Sequence, residues 1–327
     1  MGTYVIPGRE VRKILTPSVA ITAVTKAFRA YGTGAADMPP KSYLFFEKGD
    51  LRTMPAYIHG HGLHMAGVKS VNVHPENSKQ KLPSVMAMIT LHDPKNGYPV
   101  AVMDGTYLTA MRTGAAGAVA AQLLCRPASG VVGFVGSGSQ ARTQLSCLRE
   151  VMNVERIKAW KWASKDKTAE DFCRWAEEVY GVKGSISSDI DEVSRDVDIL
   201  VTTTPSRKPL VSKVSPGTHI NAIGADAVGK QEVSPKVLKQ AKIFVDDWVQ
   251  ASHSGEINVP LNKRQITRTD VYGELAEVVI GEKKGRASDS EITLFDSTGL
   301  AIQDIACAAM VYKTVKKEGR LKKVDFF

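Results

Sequence analysis

The chain has 327 residues, with 43% hydrophobic and 24% charged residues, which is ordinary globular composition and enough for one large domain or two smaller ones. The net charge of +9 is spread along the chain without an aromatic–basic motif, so nucleic acid is not an expected partner. Apolar runs such as 115–124 are too short to cross a bilayer. The four cysteines (Cys125, Cys147, Cys173, Cys307) lie far apart with no C-x-x-C, and no charged-then-apolar leader opens the chain. No membrane association, no structural metal and a cytoplasmic location are the expectations.

In chain order, residues 1 to about 115 carry an early helix over 18–31 and β-type runs over 85–91 and 99–104. They read as a domain of their own, onto which the last helix of the chain is expected to return. From 131 the pattern changes to alternating strands and helices. The apolar run 131–135 enters a glycine turn. A helix follows with Leu145, Leu148, Val151 and Met152 on one side. Strand 157–162, helix 169–180, strands 199–203, 219–223 and 243–247, helix 275–280, strand 292–295 and a closing helix over 302–317 complete the series. Such alternation predicts an α/β fold, a Rossmann-type doubly wound parallel sheet covered on both faces.

The turn reads Gly136-x-Gly138-x-x-Ala141. Gly136 permits the tight bend, Gly138 lets backbone approach a pyrophosphate, and Ala141 is small enough for close helix–strand packing. The helix that follows would offer free N–H groups and a partial positive charge to the phosphates. About twenty residues on, where an acidic side chain often binds the adenosine ribose, the chain reads KAWKWASKDK over 158–167. Lys161, Ser164 and Lys165 are candidates for a 2′-phosphate pocket, which favours NADP and leaves NAD possible. Asp166 would complicate this if it turned inward.

Four polar positions stand out elsewhere. Arg52 follows a loop, Lys69 interrupts an apolar strand-like run, Arg112 precedes a small-residue helix, and Asp226 lies just past a strand's C-terminal end. Guanidinium groups bind a carboxylate bidentately, a lysine in apolar surroundings can polarise a carbonyl or imine, and an aspartate can handle an amine proton. His59, His61 and His64 resemble a metal tract but are separated by Gly60 and Gly62 without a carboxylate. No metal is assigned to them.

Met38-Pro-Pro-Lys41, Phe46-Glu-Lys-Gly-Asp-Leu-Arg52, Arg112-Thr-Gly-Ala-Ala116, the run 201–209, the run 219–226, Gly229-Lys-Gln-Glu232, Gly255-Glu-Ile-Asn258 and the run 295–304 occur together. With these motifs the chain resembles the ornithine cyclodeaminase/mu-crystallin family over nearly its whole length, most closely the archaeal-type alanine dehydrogenases. The resemblance implies a homodimer. It divides each chain into a Rossmann domain over 116–304 and an α+β dimerisation/substrate domain from 1–115 with 305–327. It also implies that Arg52, Lys69 and Arg112 face the substrate, that Asp226 lies near its amino group, and that Ser139, Gln140, Thr204, Lys230 and Ser297 line the cofactor. Family members that use NAD carry Asp at the position of Lys161. The implied activity is NAD(P)-dependent interconversion of a small L-amino acid, alanine first, with its 2-oxo acid and ammonia through an imine. Ornithine cyclodeamination, reduction of a cyclic imine such as pyrroline-2-carboxylate, and mu-crystallin-like NADP binding without catalysis are the alternatives. Residues 53–68 contain no Asp or Glu to receive a distal ammonium, which disfavours ornithine.

Overall fold

The computed structural model describes residues 2–127, 130–319 and 321–326. The chain forms two compact units, Met1–Arg112 with Leu300–Phe327, and Thr113–Gly299. Among the described residues no helix is long and apolar enough to cross a membrane.

The second unit is built on eight parallel strands. Their order is Lys183–Ser187, Arg156–Trp160, Val131–Val135, Ile199–Thr202, His219–Ala222, Ile292–Asp296, Ala241–Val245 and Val271–Glu274. Val131–Val135 comes first in the chain but lies inside the sheet, with later strands added on either side. The order therefore reverses between Val131–Val135 and Ile199–Thr202, and at such a switch point the strand ends open a crevice. Fully buried β-branched and aromatic residues fill these central strands, as a sheet covered on both faces requires. Phe134 and Phe172 meet edge to face with centroids 4.9 Å apart, joining the first strand to helix Thr168–Tyr180.

The first unit is a mixed sheet ordered Lys323–Val324, Thr3–Ile6, Pro99–Asp104, Val85–His92, Met65–Val73, Gly49–Ile58 and Ala36–Asp37, with Ser42–Phe46 also paired to Gly49–Ile58. Burial alternates from Leu51 to Ile58 and over most of Met65–Val73. One face, with Met54, Val71, Ile89 and Met103, packs under helix Ala301–Glu318, which also lies against helix Pro17–Gly32. The last helix begins at Ala301 and belongs to the same unit as residues 1–112. Gly67 allows its close approach: a Cβ there would lie 2.8 Å from Ile305 Cδ1 and 2.5 Å from the Thr90 carbonyl oxygen.

The opposite face is uncovered within the unit. Val5, Val102, Thr90, Val68 and Pro55 form one cross-strand row on it. Leu44 at 60% exposure and Met88 at 57% lie on the same side.

Phe134→Ala should destabilise the second unit by about 3–5 kcal/mol, because the central strand cannot close around the lost ring. Denaturant unfolding of wild type and variant measures this, and a loss below about 1 kcal/mol would contradict the packing described.

Candidate functional site

Within the parallel-sheet unit, the turn after the first strand is held from the neighbouring strand. Thr203 Oγ1 donates to the Gly136 carbonyl at 3.1 Å. Gly136 has φ +107°, and a Cβ there would sit 2.7 Å from Thr203 Oγ1, so both conformation and space require glycine. At Gly138 the situation differs: a Cβ would meet nothing within 4 Å. Helix Ser139–Val151 starts there with no side chain capping its N-terminus. Ala141 is fully buried in the strand–helix core. Open space, exposed helical N–H groups and the buried hydroxyls of Ser137 and Ser297, which have no hydrogen-bond partner among the described residues, fit a dinucleotide's phosphates and adjoining polar groups. Ser139 is exposed and Gln140 half-buried at the helix start.

The end of the second strand is already paired. The Lys161 ammonium binds the Glu170 carboxylate, from the first turn of the next helix. The hydrogen bond from Lys161 holds the Glu170 carboxyl below its usual range. Ser164 and Lys165 are exposed. Asp166 turns to the following helix, accepting from Thr168 N at 3.1 Å and Thr168 Oγ1 at 2.8 Å. Lys161 is thus neutralised by Glu170, nine residues on, a pairing for which local spacing carries no signal.

Buried carboxylates fix the loops around the strand ends. Glu232 accepts from Thr204 N at 2.6 Å and Gly224 N at 2.9 Å, tying together the two loops that carry Thr204 and Asp226. Glu256 accepts from the backbone of Glu232 and Val233 at 2.8 and 2.6 Å. Asp246 receives Thr298 Oγ1 and Gly299 N, beside Ser297. Burial pushes Glu232 up to about 7 and Asp296 up to about 8, and burial with the nearby Glu232 charge drives Glu256 well above the ordinary carboxyl range. Asp226 is half-buried and accepts from Lys230 Nζ at 2.5 Å. Residue chemistry alone did not single out Glu232 or Glu256. Only their place in the motifs 229–232 and 255–258 could have flagged them.

In the other unit, the strand alternation turns Lys69 inward beneath helix Ala301–Glu318. Its ammonium, 1% exposed, lies 2.6 Å from Asp304 Oδ2. Arg112 Nε reaches the other oxygen of the same carboxylate at 3.0 Å, and Arg112 Nη1 donates to Gln303 Oε1 at 3.2 Å. Burial lowers Lys69 to about 7; the Asp304 charge opposes that shift, and Arg112 and Lys41 add to it. Arg52 shares this sheet face, diagonal to Lys69 through the pairs Arg52–Val71 and Met54–Lys69. Its guanidinium is bidentate on Asp50 at 2.8 and 3.1 Å, with Tyr43 beside it. The structure therefore brings Lys69 and Arg112 together on Asp304 and places Arg52 on the same face with a carboxylate already bound. Asp226 belongs to the other unit. Asp304 falls inside the motif 295–304, but nothing in the spacing singled it out. His61 pairs with Thr33 and His64 with Tyr57.

The sequence pattern of the ornithine cyclodeaminase/mu-crystallin family matches residues 4–319. The alanine dehydrogenase of Archaeoglobus fulgidus is 50% identical over 329 aligned positions, covering 100% of this chain and 99% of that protein. A solved archaeal alanine dehydrogenase dimer with bound NAD superposes with a TM-score of 0.95 at 50% identity, covering 100% of both chains. The Δ1-pyrroline-2-carboxylate reductase of Thermococcus litoralis, solved with NADH and L-proline, superposes with a TM-score of 0.94 at 34% identity. That match covers 98% of this chain and 100% of the other.

Two glycine substitutions separate folding from binding. Gly136→Ala should lower stability by about 1–3 kcal/mol through backbone strain and the Thr203 contact. Gly138→Ala should melt like wild type yet weaken dinucleotide binding about tenfold or more, read by cofactor fluorescence titration. Unchanged binding by Gly138→Ala would remove the pyrophosphate from this turn.

Proposed function

The chain belongs to the ornithine cyclodeaminase/mu-crystallin family, and on that premise we propose that it is a nicotinamide-dinucleotide-dependent dehydrogenase of a small L-amino acid, alanine first. In this reading it interconverts the amino acid with its 2-oxo acid and ammonia through an imine. The observation that carries the reading is the buried pair Lys69 and Arg112 on one carboxylate, with Arg52 on the same sheet face. A bound nicotinamide dinucleotide would supply hydride acceptance and donation at the substrate α-carbon. Gly136, Gly138, Ser139 and Gln140 at the turn would hold it, with Thr204, Lys230 and Ser297 from the neighbouring strand-end loops.

Arg112 and Arg52 offer guanidinium forks to the substrate carboxylate, and Arg52 would exchange Asp50 for it. Asp226 is assigned the proton of the amine. Lys69, lowered to about 7, can accept a proton from water as water adds to the imine and return it in the reverse direction. The stretch 53–68 offers no carboxylate for a distal ammonium, which favours a small side chain over ornithine. A cyclic imine such as pyrroline-2-carboxylate would use the same groups, and its reductases are among the relatives.

For the cofactor, the solved relatives hold NAD or NADH, whereas Lys161, Ser164 and Lys165 provide donors for a 2′-phosphate. We propose that NADP(H) is accepted alongside NAD(H), with Glu170 competing for Lys161. The uncovered face of the first unit's sheet supports a homodimer, since Val5, Leu44 and Met88 otherwise leave apolar surface in water.

Pyruvate with ammonia should oxidise NADH and NADPH in an absorbance assay, with pyrroline-2-carboxylate and ornithine run in parallel. Lys69→Ala should reduce turnover about 100-fold or more. Proline formed from ornithine without net cofactor change would overturn the dehydrogenase reading, and wild-type turnover in Lys69→Ala would remove that lysine's role. Separately, Leu44→Glu combined with Met88→Glu should convert a dimer to monomer in analytical ultracentrifugation. An unchanged sedimentation coefficient would place the interface elsewhere.

A further inference from the structure

Asp304 belongs to the first turn of helix Ala301–Glu318 and is completely buried. The partial positive charge of a helix N-terminus favours an anion there. The helix start is pinned by Leu300 N donating to Gln303 Oε1 at 3.3 Å, the same oxygen that receives Arg112. Gly67 lets the next residue, Ile305, approach the strand that carries Lys69. These contacts fix the first turn of the helix that carries the carboxylate. We propose that Asp304 is a positioning residue of this site: one buried carboxylate fixes Lys69 and Arg112 together and is the counter-ion across which Lys69 gains and loses its proton.

Charge counting supports this. One carboxylate between two buried cations leaves a single positive charge when Lys69 is protonated, and an anionic substrate would complete the balance. Without Asp304, Lys69 and Arg112 would be like charges in a low-dielectric setting, and the lysine would shed its proton at lower pH. The groups that face Lys69 are few. Helix Ala301–Glu318 presents Asp304, helix Thr106–Leu124 presents Arg112, and Lys41 acts from the segment before Ser42–Phe46. Strand Gly49–Ile58 presents Met54 directly and Arg52, bound to Asp50, on the diagonal, and strand Val85–His92 presents Ile89. Asp304 is the one anion among these that touches the ammonium.

The inference rests on the dehydrogenase reading, so its test has an arm independent of turnover. Titration of Lys69 followed by NMR on lysine-labelled protein, assigned with Lys69→Arg, should have a midpoint near 7 in wild type. In Asp304→Asn the midpoint should fall by at least about one pH unit, a tenfold change in proton affinity. In amino-acid oxidation the base form of Lys69 is needed, so the wild-type rate should rise with pH through about 7. Asp304→Asn should move that limb to lower pH and raise KM for the carboxylate substrate about tenfold or more. Asp304→Glu keeps the charge and displaces it; the limb should stay in place while KM rises, which carries the test if the Asn variant does not fold. A limb and an NMR midpoint that stay put in Asp304→Asn, with only kcat reduced, would overturn the proposal. The same holds for an Asp304→Glu limb that moves down by a unit. Wild-type protein that titrates as stated but turns over none of the substrates would refute the dehydrogenase reading and leave the pairing intact.

Discussion

The first unit is organised around the burial of two cations on one carboxylate. A lysine ammonium and a guanidinium cannot both be taken out of water unless an anion meets them, and here that anion is Asp304. Satisfying this constraint requires a helix from the C-terminal end of the chain to lie against strands from its N-terminal third, with Gly67 leaving room for it. Such a pair is expensive as a stabilising device, because well-packed apolar residues usually do the same work at lower cost. Its presence on a buried sheet face that also carries Arg52 fits a role in chemistry better than one in folding.

The parallel-sheet unit applies the same constraint with the opposite sign. Glu232, Glu256 and Asp246 are buried acceptors for backbone N–H groups of loops at the strand ends. Glu232 ties the loops bearing Thr204 and Asp226 to each other, and Asp246 ties the segment after Ser297 to the end of strand Ala241–Val245. Burial raises Glu232 and Asp296 into the neutral range, and the backbone donors to Glu232 partly offset that rise. The cost of these buried acids falls on stability, while the gain is loops held in fixed positions.

Some of this was legible in the residue order. Alternating apolar strands and amphipathic helices identify the parallel sheet, and the spacing of Gly136, Gly138 and Ala141 locates its first turn, because both signals are local. Lys69 within an apolar strand announced a buried ammonium in need of a partner. The partner was not legible, since Asp304 lies 235 positions later (304 − 69) on a helix whose sequence carries no mark of which side chain faces inward first. Lys161 is the converse case. Its position at the end of the second strand follows from local pattern, but its pairing with Glu170 depends on how the next helix is turned.

What the sequence by itself determined was therefore the short-range part: element types, the glycine turn, and the residue kinds available for carboxylate and dinucleotide chemistry. Hydrophobic period and turn propensity act over a few residues, and these features follow from them. Only the tertiary structure decided which charges neutralise which. Arg52 pairs with Asp50, Lys69 and Arg112 share Asp304, Lys161 is matched by Glu170, and Lys230 is matched by Asp226. Electrostatic pairing depends on distance and burial, and for the contacts that cross the fold neither quantity exists until the chain has closed on itself.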